Sequence, residues 1–232
     1  MLHSSDKIMQ SKMSDAGDDT SISASHDSEF EPFNFTHTLY ITPHNSTHQT
    51  VKIHDITGVS TAPYSSDRYN EETEEIGQAR PDEAANWILD NHHHWRTATL
   101  HPGHAATKTT DTALASWTPS RWSQGKNEFA FPPGSPHCGH GLVMQRQGVL
   151  SYRVETFVKD SVQYLWRYDG YSRRKLTLWK VLGGGKTAVA RYKAPYRVAT
   201  TGGTLVVDSG EVDLVVAVLT CLSMLRKIRQ SD

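Results

Sequence analysis

The chain has 232 residues with 24 Lys and Arg against 25 Asp and Glu, which gives a formal net charge of −1 and fits one domain or a domain with a tail. Two cysteines, Cys138 and Cys221, exclude a disulfide framework, and Cys221 lies in an apolar run typical of a core residue. The first thirty residues contain no apolar stretch, so we expect no secretory signal and an intracellular, cytoplasmic location.

The charge is distributed unevenly along the chain. Residues 1–150 carry 10 Lys and Arg against 18 Asp and Glu, a formal charge of −8, whereas residues 151–232 carry 14 against 7, a charge of +7. The first half shows few periodic apolar segments, which argues against an independent core. We therefore predict one domain over residues 33–230 rather than two domains.

Residues 1–32 are rich in Ser, Asp and Thr and have no apolar period, which predicts a disordered N-terminal tail. From Phe33, apolar and polar residues alternate approximately through Ile41, and a second apolar stretch covers residues 51–59. Turn residues at 43–46 separate the two stretches. This pattern predicts a β-hairpin.

Residues 62–150 are expected to be a loop-rich insertion. Residues 62–84 contain two prolines and the acidic run 71–75, which is typical of a solvated loop. Beyond it, short apolar patches alternate with polar and turn-rich stretches. The second half is more regular, with five or six alternating segments about ten residues apart between 152 and 207. That spacing predicts consecutive antiparallel strands in a sandwich or a barrel.

The last segment predicts a helix over residues 211–229. Acidic residues precede it and basic residues end it, as the helix dipole favours, and Ser209 is the expected N-cap. Its apolar residues cover the whole circumference, so the helix must be buried in protein or in lipid. The apolar residues 214–225 would span only about 18 Å against the ~30 Å hydrocarbon core of a bilayer. We therefore predict a closed antiparallel β-barrel wrapped around a buried C-terminal helix, with no transmembrane span.

Five segments in this half carry a family resemblance: VQYLW at 162–166, KLTLWK at 175–180, TAVARY at 187–192, GTLVV at 203–207 and EVDLVV at 211–216. They resemble the tubby C-terminal-like superfamily, which includes the tubby domain and the phospholipid scramblases, and in particular an uncharacterised fungal branch. The likeness covers 151–230 well and 33–60 loosely. It implies a barrel around a central hydrophobic helix, and tubby domains bind phosphoinositides. These are core and turn patterns and imply no catalytic residues.

Other motifs offer little chemistry. Gly183 to Lys186 resembles part of a phosphate-binding loop, but the required earlier glycine is Lys180, and we read the segment as a hairpin turn. Histidines cluster at 92–94, 101–104 and 137–140, yet with one cysteine among them they lack the usual zinc pattern, so we predict no metal and no cofactor. No Gly-x-Ser-x-Gly or cysteine nucleophile pattern occurs, so we predict no catalytic residues and no enzyme.

A set of basic residues gives the main functional hypothesis. If neighbouring strands pair as hairpins, these residues form one cationic patch suited to anionic headgroups. The candidates are Arg173, Arg174, Lys175, Lys186, Arg191 and Lys193. We expect a non-enzymatic binding module that meets anionic phospholipid at a membrane surface, or a protein partner; nucleic acid is disfavoured because the interleaved aromatic residues occupy core positions. The alternatives are a scramblase-like membrane-active protein and, third, a metal-binding or hydrolytic protein using the His-rich middle segment.

Overall fold

Strands form most of the ordered secondary structure. The computed structural model of the chain describes residues 33–44, 50–60, 62, 64, 66–80, 85–92, 97–103, 112–119, 125–147, 154–170, 174–195 and 202–229. The strands are β1 His37–Ile41, β2 Thr50–Asp55, β3 Trp87–His92, β4 Thr97–Pro102, β5 Ala115–Pro119, β6 Lys126–Ala130, β7 Leu142–Arg146, β8 Val154–Lys159, β9 Val162–Tyr168, β10 Lys175–Leu182, β11 Gly185–Lys193 and β12 Gly203–Val207. The helices are α1 Asp67–Ala79 and α2 Leu214–Arg229. The predicted disordered tail, residues 1–32, lies outside the described residues.

The twelve strands form one closed antiparallel barrel. Each strand pairs with its neighbours in sequence, and β1 also pairs with β12, where Leu39 lies opposite Leu205. The predicted hairpin before residue 60 is confirmed by the pairing of β1 with β2, and β8 to β12 supply the regular strands expected in the second half. The prediction of a mainly β fold with a closed antiparallel barrel is therefore confirmed.

The hydrophobic core joins α2 to every strand of the barrel. Alternate residues of all twelve strands and the apolar residues of α2 belong to one buried cluster. Val215, Leu219 and Leu222 are at most 1 % exposed, and Cys221 is fully buried as predicted. The apolar circumference of this helix is thus covered by protein, as its composition requires.

Three polar contacts orient α2 against the strands. The Trp166 Nε1–H donates to Thr220 Oγ1 at 2.9 Å, and the Tyr168 hydroxyl donates to the Met224 carbonyl at 3.0 Å. On another strand, the Asn127 side-chain amide donates to Ser223 Oγ at 2.7 Å. Because apolar contacts have no direction and hydrogen bonds do, these bonds select one rotation of the helix among the apolar side chains.

The helix begins later than the sequence pattern predicts. Asp213 caps it: its Oδ1 accepts from the Val216 N–H at 3.0 Å, and its carbonyl accepts from the Ala217 N–H at 2.9 Å. Ser209, the predicted N-cap, instead hydrogen-bonds Thr36 ahead of β1. The prediction failed because both residues are good caps, and a turn at residues 208–212 separates them.

The prediction of a loop-rich insertion over residues 62–150 is wrong. That segment contains α1 and the five strands β3 to β7, nearly half of the barrel. The strands are short, and some core-facing positions are polar, such as Asn127 on β6, which is 1 % exposed. The Asn127 side chain is hydrogen-bonded by Trp117 and Ser223, so it can be buried although it is polar. Such a residue interrupts the apolar–polar alternation from which strands are predicted.

The acidic segment predicted to be a solvated loop is α1, which contacts the outer side of β1 and β12. Ser66 caps it by accepting the Tyr69 N–H at 3.1 Å. Its buried stripe is Tyr69, Thr73 and Gly77, spaced four residues apart. The Tyr69 hydroxyl bonds Thr38 Oγ1 at 2.7 Å. This stripe contains no aliphatic residue, so hydrophobic periodicity could not reveal the helix.

Truncation of α2 should show how much the barrel depends on it. We expect Leu222→Ala, at a fully buried position, to lower the free energy of unfolding by about 2–5 kcal/mol, measured by denaturant titration. Leu182→Ala is the matched control, because Leu182 is 66 % exposed in the β10–β11 hairpin. Equal, small losses in both variants would contradict the packing of α2 against the strands.

Because α1 packs closely on the strands, we expect a Gly→Ala substitution at Gly77 to lower the stability of the protein, opposite to its usual effect in a helix. Gly→Ala inside an ordinary helix stabilises it by roughly 0.5–1 kcal/mol. At Gly77, however, a Cβ would lie 2.1 Å from Cγ of the buried Tyr40 ring. We expect Gly77→Ala to destabilise the protein by about 1–3 kcal/mol in denaturant titration. Glu75→Ala, at an exposed position of the same helix, should have little effect; a stabilising Gly77→Ala would refute the close contact.

Candidate basic surface

Four of the predicted basic residues lie near one end of the β10–β11 hairpin. Lys175 on β10 lies directly opposite Lys193 on β11, and Arg191 lies opposite Thr177. Arg174 precedes β10, and its carbonyl accepts from the Ala194 N–H at 2.8 Å. Arg173, the remaining candidate from this turn, lies outside the described residues.

Lys186 does not join this group. It lies at the start of β11, opposite Val181, six residues along β10 from Lys175. At 3.3 Å per residue this separation is about 20 Å. The glycine turn beside it is a two-residue connection between Leu182 and Gly185, with φ of 60° at Gly183 and 83° at Gly184. The hairpin interpretation of this glycine segment is therefore confirmed.

Arg167 lies near these basic residues, although the sequence analysis did not select it as a candidate. It lies on β9 opposite Thr177, in the cross-strand row that ends at Arg191. Its neighbours in sequence, Trp166 and Tyr168, belong to the core, so Arg167 faces outward. Alternation in the sequence could have placed it on the outer side, but only the register shows that it lies near the other cations.

We call Arg167, Lys175, Arg191 and Lys193 the basic face. Arg167 and Arg191 are two strands apart, about 10 Å, and Lys175 and Lys193 form the next outward row about 7 Å along the strands. Arg167 and Lys175 are exposed, whereas Arg191 and Lys193 are half-buried. The strand pairing therefore places four cations on one outer surface of the barrel.

Two carboxylates border the basic face. The Thr177 hydroxyl donates to Asp169 Oδ2 at 2.6 Å, which fixes that carboxylate beside Lys175 on the neighbouring strand. On the other side, Lys193 Nζ lies 3.5 Å from Oδ1 of Asp67 in the first turn of α1, where Asp67 is 96 % exposed. An exposed pair at this distance is weak, so the basic face keeps a positive excess.

An aromatic cluster supports Arg191. Its guanidinium carbon lies 5.1 Å from the centre of the Phe33 ring, in cation–π geometry. Phe35, Tyr64 and Tyr69 continue the cluster, with the Tyr64 and Tyr69 ring centres 5.4 Å apart. Burial raises the pKa of both tyrosines, and the nearby Arg191 charge partly opposes the rise in the pKa of Tyr64. The cluster thus joins the segment before β1, α1 and β11.

Two of the clustered histidines that the structure describes pair with different carboxylates. His101 Nε2 on β4 lies 4.0 Å from Asp90 Oδ2, and His137 Nδ1 lies 3.1 Å from Oδ2 of Asp213, the α2 cap. His93, His94 and His104 lie outside the described residues. Among the residues that are described, no group of three or more His, Cys, Asp or Glu side chains is arranged to hold a metal ion.

Comparisons with protein-family models, curated proteins and solved structures found no match to this chain. Within the described ranges, neither helix combines the length and the apolar character needed to cross a bilayer.

The aromatic cluster predicts a pH effect on stability. Both tyrosine pKa values are raised above the ordinary value of 10, so above that pH the unfolded chain releases these protons before the folded protein does. Stability should therefore fall as the pH rises above about 10, and less steeply in Tyr64→Phe/Tyr69→Phe. Denaturant titrations at about pH 9 and about pH 11 measure the difference. Other groups titrate in both proteins, so some loss of stability is expected in each. An equal loss in the variant and in the unmodified protein would refute the contribution of Tyr64 and Tyr69.

Proposed function

We propose that this protein is a non-enzymatic binding module that recognises anionic phospholipid headgroups at a membrane surface through the basic face. The observation that carries the proposal is the strand register, which gathers Arg167, Lys175, Arg191 and Lys193 on the outer side of β9 to β11. A cation near an anionic leaflet contributes about 1 kcal/mol, so several together support reversible peripheral binding.

Anionic lipid fits this surface better than nucleic acid does. Proteins that bind single strands combine cations with aromatic rings that stack on the bases. Here Trp166, Tyr168 and Tyr192 alternate with the cations in sequence, but each is at most 6 % exposed and belongs to the core. The outer face of these three strands therefore offers charge to a partner, as a headgroup requires, and keeps those rings away from it.

We also propose that α2 occupies the lumen of the barrel, the arrangement of the tubby C-terminal-like superfamily. Support comes from its burial and from its hydrogen bonds to β6 and β9, which are separated by two intervening strands. A scramblase-like role in which this helix enters the bilayer would require the loss of these contacts. We therefore favour a peripheral binding module over a membrane-inserted protein.

Vesicle binding tests the basic face directly. The protein should float with phosphatidylcholine vesicles that contain phosphatidylserine and phosphoinositide, at about 0.15 M salt. Arg167→Gln/Lys175→Gln removes two exposed cations and should weaken binding by about 30-fold, at about 1 kcal/mol for each charge. Arg191 is left in place because it also packs on Phe33.

Lys186→Gln is the matched control, since it removes an exposed cation from the far end of the same hairpin. We expect its binding to remain close to that of the unmodified protein. The proposal fails if the unmodified protein does not bind the anionic vesicles, or if the double variant binds them as well as Lys186→Gln does.

A further inference from the structure

A second cationic feature lies on the core side of the barrel, at the end where α2 finishes. Arg226 is on α2, and its guanidinium carbon lies 5.2 Å from the centre of the Trp117 ring of β5. Its Nε atom is buried, and no acceptor in the described part of the chain bonds it. Burial lowers the pKa of Arg226 to about 10.

Arg146 ends β7 on the same, core-facing side. It follows Leu142 and Met144 at two-residue steps, and both of those residues belong to the core. Its aliphatic stem lies across Gly125: a Cβ on that glycine would be 2.8 Å from Arg146 Cδ. The Nε of Arg146 is also buried and has no hydrogen-bond partner among the described residues. The missing side chain at Gly125 therefore provides the space that Arg146 occupies.

Arg146 and Arg226 both lie beyond the contact between Asn127 and Ser223, in the direction of the end of α2. Asn127 of β6 bonds Ser223 of α2. From there, Arg226 is three residues further along the helix, a rise of about 4.5 Å. Gly125, which faces Arg146, is two residues back along antiparallel β6, about 7 Å in the same direction. The two guanidinium groups thus reach a similar level of the barrel, on the β5 to β7 side.

Among the described residues, the charges at this level do not balance. Glu155 of β8 lies opposite Arg146 in the register, on the core-facing side, and is fully buried. Within that described set, one carboxylate against two guanidinium groups leaves an excess of one positive charge in a partly desolvated place. A buried cation without a partner is costly, and an anion that supplies hydrogen-bond acceptors would remove that cost.

We propose that Arg146 and Arg226 form a site for a small oxyanion, a carboxylate or a phosphate group, at the end of the barrel where α2 finishes. A guanidinium group presents a planar fork of N–H donors that matches two oxygens of such a group. The Trp117 ring holds the Arg226 fork, and the Gly125 backbone leaves room for the Arg146 stem. This site is separate from the basic face, whose cations point outward.

Calorimetric titration with sodium phosphate and, separately, sodium acetate tests the site at constant ionic strength. The titrations are made in the Arg167→Gln/Lys175→Gln background, so that the basic face does not contribute and the two proposals can fail independently. We expect saturable binding of at least one anion, and the tighter one identifies the preferred group. Arg226→Gln and Arg146→Gln should each weaken it by about tenfold or more, through loss of charged hydrogen bonds.

Lys126→Gln is the matched control, because Lys126 adjoins Gly125 but is exposed on the outer side of β6. It should keep the affinity and the anion-dependent rise in unfolding temperature, which Arg226→Gln should lose. Arg226→Lys keeps the charge without the fork and should bind more weakly than the parent. If either glutamine variant fails to fold, Arg226→Lys still decides the question. The proposal is overturned if neither anion binds, or if the folded Arg226 and Arg146 variants retain the parent affinity.

Discussion

The whole fold depends on covering an α-helix that has no polar side. The apolar residues of α2 from Val215 to Leu225 stabilise the folded protein only when they are removed from water. One face of a single sheet could cover only part of the circumference of this helix. All twelve strands of the closed barrel contribute residues to the buried cluster that contains α2. The helix and the strands belong to one buried cluster, so each covers apolar surface that the other would leave in water.

The polar groups in this core provide specificity. Thr220 on α2 donates to the Val216 carbonyl at 2.7 Å and accepts from Trp166, so its hydroxyl is satisfied in both roles. Asn127 connects Trp117 to Ser223 in the same way. Rotating α2 or sliding it along its axis would leave these buried groups without partners, at a cost of about 1–3 kcal/mol each. Apolar packing makes the core stable, and these hydrogen bonds select one arrangement of it.

Barrel closure also explains why a chain with oppositely charged halves forms one unit. Because β1 pairs with β12, the acidic helix α1, which packs on these strands, lies beside the basic strands near the other end of the sequence. The contact between Asp67 and Lys193 joins residues 126 positions apart. The acidic segment therefore borders the basic face, and an anionic partner would meet the exposed cations Arg167 and Lys175 on the side away from α1.

Local patterns in the sequence are sufficient to predict the strands of the second half, the hairpin before residue 60 and the burial of the final helix. These features depend on local alternation and on apolar composition, which a linear reading detects. The other features depend on contacts between segments that are distant in the chain. Strands β3 to β7 are short and have polar residues at core positions, and α1 buries Tyr69, Thr73 and Gly77, none of which is aliphatic.

The basic face was predicted only in part. Lys175, Arg191 and Lys193 were selected from the sequence. The inclusion of Arg167 and the exclusion of Lys186 followed from the strand register. Pairing between distant strands sets that register, and no local pattern encodes which residues will face one another.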